Sequence, residues 1–87
     1  MIVSAAVKIY NKKLNKEMII PCHRHCDAFY ILKEFEYKKN EDYIELAQGF
    51  LDENDIFYDR LAAKQHALKY NQITDVTNTE LYSEDLW

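Results

Sequence analysis

Apolar and polar residues alternate along residues 2–10, which places Val3, Ala5, Val7 and Ile9 on one side of the chain. A period of two residues is that of a β-strand with one buried face. The polar segment 11–16 then predicts a turn, and the apolar segment 17–20 predicts a second, short strand. Pro21 is expected to end that strand. The chain therefore begins with a predicted β-hairpin.

The apolar spacing becomes helical after Pro21, since residues 28, 29, 32 and 35 fall along one face of a helix that begins at about Arg24 and ends near Tyr37. Residues 43–48 fit either a short helix or a connector. Residues 50–58 then predict a second hairpin, whose turn is acidic.

Asp59 is suited to cap a second helix over residues 60–70, and Asn71 is suited to end it in a left-handed conformation. The closing segment LYSEDLW (81–87) ends in apolar residues, which predicts a docked tail. The predicted fold is a small α+β single domain over residues 1–87, in the order N-terminal β-hairpin, helix, second β-hairpin, helix, docked C-terminal tail.

Composition supports a packed domain of this size, because 48% of the 87 residues are apolar and the chain has one glycine and one proline. Eight of the eleven basic residues precede residue 40, so a basic face is expected although the net charge is −4. The total charge does not predict binding to DNA or to a membrane. With two cysteines, no basic leader and no apolar run of bilayer length, we expect a soluble intracellular protein with reduced thiols.

The segment PCHRHC (21–26) carries the most chemistry and allows three interpretations. A zinc site would use its cysteines and histidines, but structural zinc takes four ligands from two separated pairs, and the chain has no second pair. A catalytic thiol at Cys22 or Cys26 would need a base and a group to orient that base, and the sequence shows no such group.

The third interpretation is an anion site at the start of the first helix, where unpaired amides and the helix dipole favour negative charge. Arg24 can bind a phosphate through two N–H groups, and His25 can add a hydrogen bond. A competing interpretation stays open, in which both residues only bind the chain termini or the acidic tail. In that tail, residues 83–85 are placed to pair with Arg24 or Arg60.

The sequence also resembles a widespread family of small phage and prophage proteins, and the resemblance covers nearly the whole chain. It rests on RH (24–25), QGF (48–50), the spacing F-x-x-R-x-x-A-x-x-x-A over 57–67, QI (72–73) and the LYSEDLW ending. Two positions depart from the family pattern: Asn71 stands where glycine is usual, and Cys26 where a second histidine is usual.

The resemblance implies a function as well, because this family is similar to phage anti-defence proteins (anti-CBASS and anti-Thoeris sponges) that oligomerise and sequester cyclic nucleotide immune signals. It implies a non-enzymatic protein in the host cytoplasm, a dimer or tetramer that needs no cofactor or metal and binds neither DNA nor membrane. The expected ligand-binding residues are Arg24, His25, Phe50, Phe57, Arg60, Gln72, Ser83, Glu84, Asp85 and Trp87, and Gln48 matches the pattern too. The alternatives are an accessory protein that binds a host protein, and a hydrolase that degrades the signal.

Overall fold

Four antiparallel strands and two helices form the fold, and the computed structural model describes residues 1–74 and 76–86. The elements are β1 (Ile2–Asn11), β2 (Lys16–Cys22), α1 (His25–Glu34), β3 (Tyr43–Asp52), β4 (Phe57–Asp59), α2 (Arg60–Lys69) and a 3-10 turn (Ser83–Asp85), which we call the C-terminal turn. The sheet order is β2-β1-β3-β4, so the two hairpins lie side by side with β1 and β3 in the middle. This confirms the predicted α+β class.

Both helices pack on the same face of the sheet. Val7 and Ile9 of β1 lie under α1, where they form a cluster with Ala28 and Leu32. Ala5, on the same side of β1, belongs to a second cluster that also holds the alanines of α2 and Phe50 of β3. Ala5, Val7 and Ile9 thus mark the helix-covered face, as predicted.

The prediction is wrong for Val3, which is 52% exposed, while Ile2 is buried in its place. The pairing of β1 with β3 shifts in register between Ile2 and Ser4, and such an irregularity interrupts the alternation of faces.

Pro21 does not end the second strand; it lies within β2 and pairs with Ala6. β2 is an edge strand, and an edge tolerates proline because one side of the strand has no ladder to complete. Residues 43–48, which the sequence left undecided, form the first half of β3.

The first helix is shorter than predicted. It ends at Glu34, because Glu36 adopts a left-handed conformation with φ of 61° that an α-helix cannot contain. Phe35 consequently lies outside the core and is 71% exposed. The predicted caps of the second helix are confirmed: the Asp59 side chain accepts a hydrogen bond from the Ala62 N–H at 2.8 Å, and Asn71 is left-handed with φ of 57°.

The lone glycine, Gly49, sits where two strands approach each other closely. It pairs with Asp59 of β4, and a Cβ at this position would overlap the Tyr58 carbonyl oxygen and lie 2.6 Å from Cζ of Phe57. Any side chain here would push β4 away from β3, so the backbone approach requires glycine.

The C-terminal segment is docked along the start of α2. The Leu81 N–H donates to the Arg60 carbonyl at 2.9 Å, and the Leu81 side chain is fully buried in the cluster beneath α2. Within the part of the chain that the structure describes, no helix is long and apolar enough to cross a membrane.

Candidate functional site

A cavity of about 230 Å³ opens where the start of α1, the start of α2 and the C-terminal turn meet. We call it the site cavity. Both arginines of the chain, Arg24 and Arg60, line it. Its lining residues are Arg24, His25, Cys26, Arg60, Tyr82, Ser83 and Glu84.

Arg60 organises the floor of the site cavity. Its guanidinium donates to the Leu81 carbonyl oxygen at 3.1 Å through Nη1 and to Oε1 of Gln48 at 2.5 Å through Nη2. The guanidinium carbon also lies 4.8 Å from the centre of the Tyr82 ring, a cation–π contact. These contacts fix the side chain and join α2, β3 and the tail.

All of these Arg60 partners are neutral. Within residues 1–74 and 76–86, no carboxylate lies within ion-pair distance of its guanidinium. The remaining N–H groups of this half-buried cation can serve a ligand anion. Arg60 also lines a separate cavity of about 500 Å³ together with Glu45, Asp59 and Glu80, so acidic side chains lie near it beyond ion-pair distance.

His25 lies behind the two arginines as a neutral ring. Its Nε2 lies 2.7 Å from the Gly49 carbonyl oxygen, and because a carbonyl can only accept, Nε2 carries the proton. Nδ1 then accepts a long hydrogen bond from Nη2 of Arg60 at 3.5 Å. Burial lowers the pKa of His25, and the Arg60 charge adds to that effect against the opposing hydrogen bond to Gly49.

Arg24 stands at the start of α1 and is tied to it through its backbone, whose N–H donates to Oδ2 of Asp27 at 3.1 Å. Its guanidinium Nη1 lies 3.7 Å from Oε1 of Glu84, a loose ion pair at the rim of the cavity. The competing interpretation, in which Arg24 holds the acidic tail, therefore has a contact in its favour. The Glu84 side chain is 74% exposed, so a ligand can displace it at little cost.

Ser83 adds a polar group to the wall of the site cavity. The residue is 3% exposed, and its hydroxyl is not among the buried atoms that lack a hydrogen-bond partner. Because Ser83 lines the site cavity, its hydroxyl can donate to or accept from a ligand there.

The other residues expected at the site lie elsewhere. Phe50 is fully buried beneath the cavity and meets His25 edge-on at 5.1 Å, so it supports the ring and offers no stacking surface. Phe57 pairs across the strands with Leu51, which follows Phe50 and so points to the opposite face of the sheet. Gln72 and Asp85 line a different cavity, and Trp87 lies outside the described residues.

Two functional candidates, Tyr82 and Cys26, were absent from the expected set although both line the site cavity. Tyr82 is the aromatic residue of the cavity and lies over Arg60. The sequence does contain a signal for it, since Tyr82 directly precedes Ser83 in the LYSEDLW segment. The residue was left out of the expected set because an aromatic side chain belongs more often to the core than to a binding site.

The thiols of PCHRHC are free, Cys22 half-buried and Cys26 exposed. Burial raises the pKa of Cys22 to about 11, which keeps its thiol protonated at neutral pH and makes it a weak nucleophile and a weak metal ligand. Among the described residues, no group of three or more histidine, cysteine or acidic side chains is arranged to hold a metal ion.

A family model described as phage T4 y16D protein matches residues 1–87. The chain belongs to that family. The match confirms the resemblance to a family of small phage proteins and covers every residue of the site cavity. The chain matches none of the curated proteins and none of the solved structures.

Proposed function

We propose that this y16D-family protein binds a cyclic nucleotide signal of bacterial immunity in the site cavity and sequesters it without cleaving it. It acts in the cytoplasm of the infected cell, as a homodimer or homotetramer, and lowers the concentration of free signal. The proposal joins the resemblance to anti-defence sponges with the charge and geometry of the cavity.

The observation that carries the proposal is the environment of Arg60. Its guanidinium is rigidly placed, has only neutral partners among the described residues, and opens with Arg24 onto one cavity. Two of the lining residues are arginines, whose planar guanidinium groups suit a phosphodiester. Tyr82 and the Ser83 hydroxyl provide an aromatic ring and a polar group for the nucleoside.

The same side chains favour holding a ligand over cleaving it. Both ring nitrogens of His25 are engaged, with Gly49 and with Arg60, so the histidine is not free to act as a general base. A sequestering protein needs affinity for its ligand and a sufficient number of copies, and it needs no catalytic turnover.

The small volume of the cavity supports an oligomer. Pockets that enclose organic ligands usually measure about 300–1,000 Å³, and the site cavity holds about 230 Å³. One copy would cover part of a cyclic dinucleotide, and we propose that a second copy covers the rest.

The test is a calorimetric titration of the protein with a panel of cyclic oligonucleotides and cyclic ADP-ribose isomers. Arg60→Ala and Arg24→Ala should each weaken binding of the selected nucleotide by tenfold or more, about the loss of one charge-assisted hydrogen bond. Lys33→Ala, a cation of α1 outside the site cavity, is the control and should bind as the wild type does. Equal binding by all four proteins would place the ligand elsewhere.

A second candidate function is binding of a host protein, and one feature favours it. α1 exposes Tyr30 and Ile31, and Phe35 follows them at its end. Exposed aromatic residues that lie together are typical of protein interfaces. If no nucleotide of the panel binds and a Tyr30→Ala, Phe35→Ala variant loses a purified host partner, this second function replaces the first.

A further inference from the structure

A second cavity lies on the other side of the C-terminal turn, around a buried lysine. Lys64 is one helical turn after Arg60 in α2 and is 2% exposed. The cavity measures about 360 Å³ and is lined by Lys64, Gln72, Ile73, Thr74 and Asp85. It shares no lining residue with the site cavity.

The Lys64 side chain is buried along its length, and the residue lines the cavity. Within residues 1–74 and 76–86, no carboxylate lies within ion-pair distance of its Nζ, and Nζ is not among the buried atoms that lack a hydrogen-bond partner. The ammonium group is therefore open to solvent in the cavity, and a ligand anion can replace that solvent with a charge-assisted hydrogen bond.

The neighbouring side chains indicate what else such a ligand carries. The Gln72 side chain accepts a hydrogen bond from the Ile2 N–H at 2.8 Å through Oε1 and donates to the Ile2 carbonyl oxygen at 2.6 Å through Nε2. Gln72 therefore forms part of the cavity wall, and its amide is not expected to hydrogen-bond the ligand. Asp85 uses Oδ2 to accept from the Tyr82 N–H at 2.9 Å, which leaves Oδ1 to accept from a ligand hydroxyl. Thr74 adds a hydroxyl of its own at the rim.

We propose that the Lys64 cavity is a second ligand site, which binds a small phosphate monoester carrying hydroxyl groups, such as a sugar phosphate. The phosphate pairs with the Lys64 ammonium, and a ligand hydroxyl donates to Oδ1 of Asp85. The volume of the cavity lies within the range of small-molecule pockets and is larger than an inorganic ion requires.

The experiment is a titration of the uniformly ¹⁵N-labelled wild-type protein with ribose 5-phosphate, followed by two-dimensional amide spectra. Saturable shifts are expected at Thr74 and Asp85. Ribose without phosphate should give no saturable shift, and inorganic phosphate should bind more weakly than the ester. In Lys64→Met the affinity should fall about tenfold or more, as for loss of one charge-assisted hydrogen bond. Lys69→Met, at the exposed end of the same helix, should bind as the wild type does.

Several results would overturn the proposal, and the wild-type titration alone decides most of them if Lys64→Met does not fold. Absence of shifts at Thr74 and Asp85 with millimolar ribose 5-phosphate would do so, as would equal binding of ribose. Shifts confined to residues of the site cavity would place the phosphate there, in support of the proposed function and against this second site. If inorganic phosphate bound as tightly as ribose 5-phosphate, the cavity would bind the phosphate ion alone, and the proposed contact with a ligand hydroxyl would be wrong.

Discussion

Replacing the single glycine tests both the strand packing and its link to the site. In Gly49→Ala the new methyl group would overlap the Tyr58 carbonyl oxygen and lie 2.6 Å from Cζ of Phe57. The phenylalanine ring can rotate away, but the carbonyl belongs to the paired strand β4 and cannot move alone. β3 and β4 must therefore separate locally.

The expected cost follows from two opposing effects. Forcing a methyl group into a filled space costs about 1–3 kcal/mol, while alanine restricts the unfolded chain and returns about 0.4–1 kcal/mol. We expect a net loss of about 1–2 kcal/mol in the free energy of unfolding. Because the Gly49 carbonyl oxygen accepts the hydrogen bond from His25, the same change should also disturb the His25 ring signals.

Urea unfolding followed by far-ultraviolet circular dichroism measures the loss. A double-mutant cycle with Phe57→Ala isolates the ring, and Gly49→Ala should cost less in that background because one of the two overlaps is gone. If Gly49→Ala unfolds at the same or a higher urea concentration than the wild type, the close approach of β4 is wrong.

Three further predictions concern titration and thiol chemistry. Burial opposes ionisation of Asp52, but hydrogen bonds from two backbone N–H groups and a tyrosine hydroxyl outweigh burial and lower the pKa of the carboxyl. The free energy of unfolding should therefore fall as the pH drops below about 4. In Asp52→Asn, the urea midpoint should change less over that pH range. The folded protein favours the neutral form of His25, because its pKa is lowered there. The free energy of unfolding should therefore also fall as the pH drops from about 6.5 towards that lowered pKa. This second fall should be absent from His25→Gln. Iodoacetamide should label exposed Cys26 well before Cys22, whose pKa is about 11; equal labelling rates by mass spectrometry would refute this.

The sequence predicted an element of the fold correctly where the residues close to it in the chain were enough to determine its structure. The alternation of residues 5–9 and the caps at Asp59 and Asn71 are properties of neighbouring residues, and the structure has all three. The alternation fails at Val3, where the register between β1 and β3 shifts. Pro21 was misjudged because its tolerance in β2 depends on the strand being at the edge of the sheet. Strand order is set by distant pairings, which no local pattern contains.

The candidate site was predicted in part for a similar reason. Arg60 is far from Arg24 and His25 in the sequence, yet the resemblance selected all three residues and the structure brings them together. It also selected Phe57, which the strand register directs to the opposite face. A shared sequence pattern marks residues that matter for packing as well as residues that matter for binding, and Phe50 is an example of the former.

The most direct test of the central claim is recovery of bound nucleotide. The wild-type protein is incubated with the cyclic nucleotide selected in the titrations, passed through a desalting column and heat-denatured, and the supernatant is examined by mass spectrometry. We predict the intact cyclic nucleotide from the wild type and little or none from Arg60→Ala of matching circular dichroism. A linear or cleaved product would show an enzyme, and no nucleotide from the wild type would contradict the account.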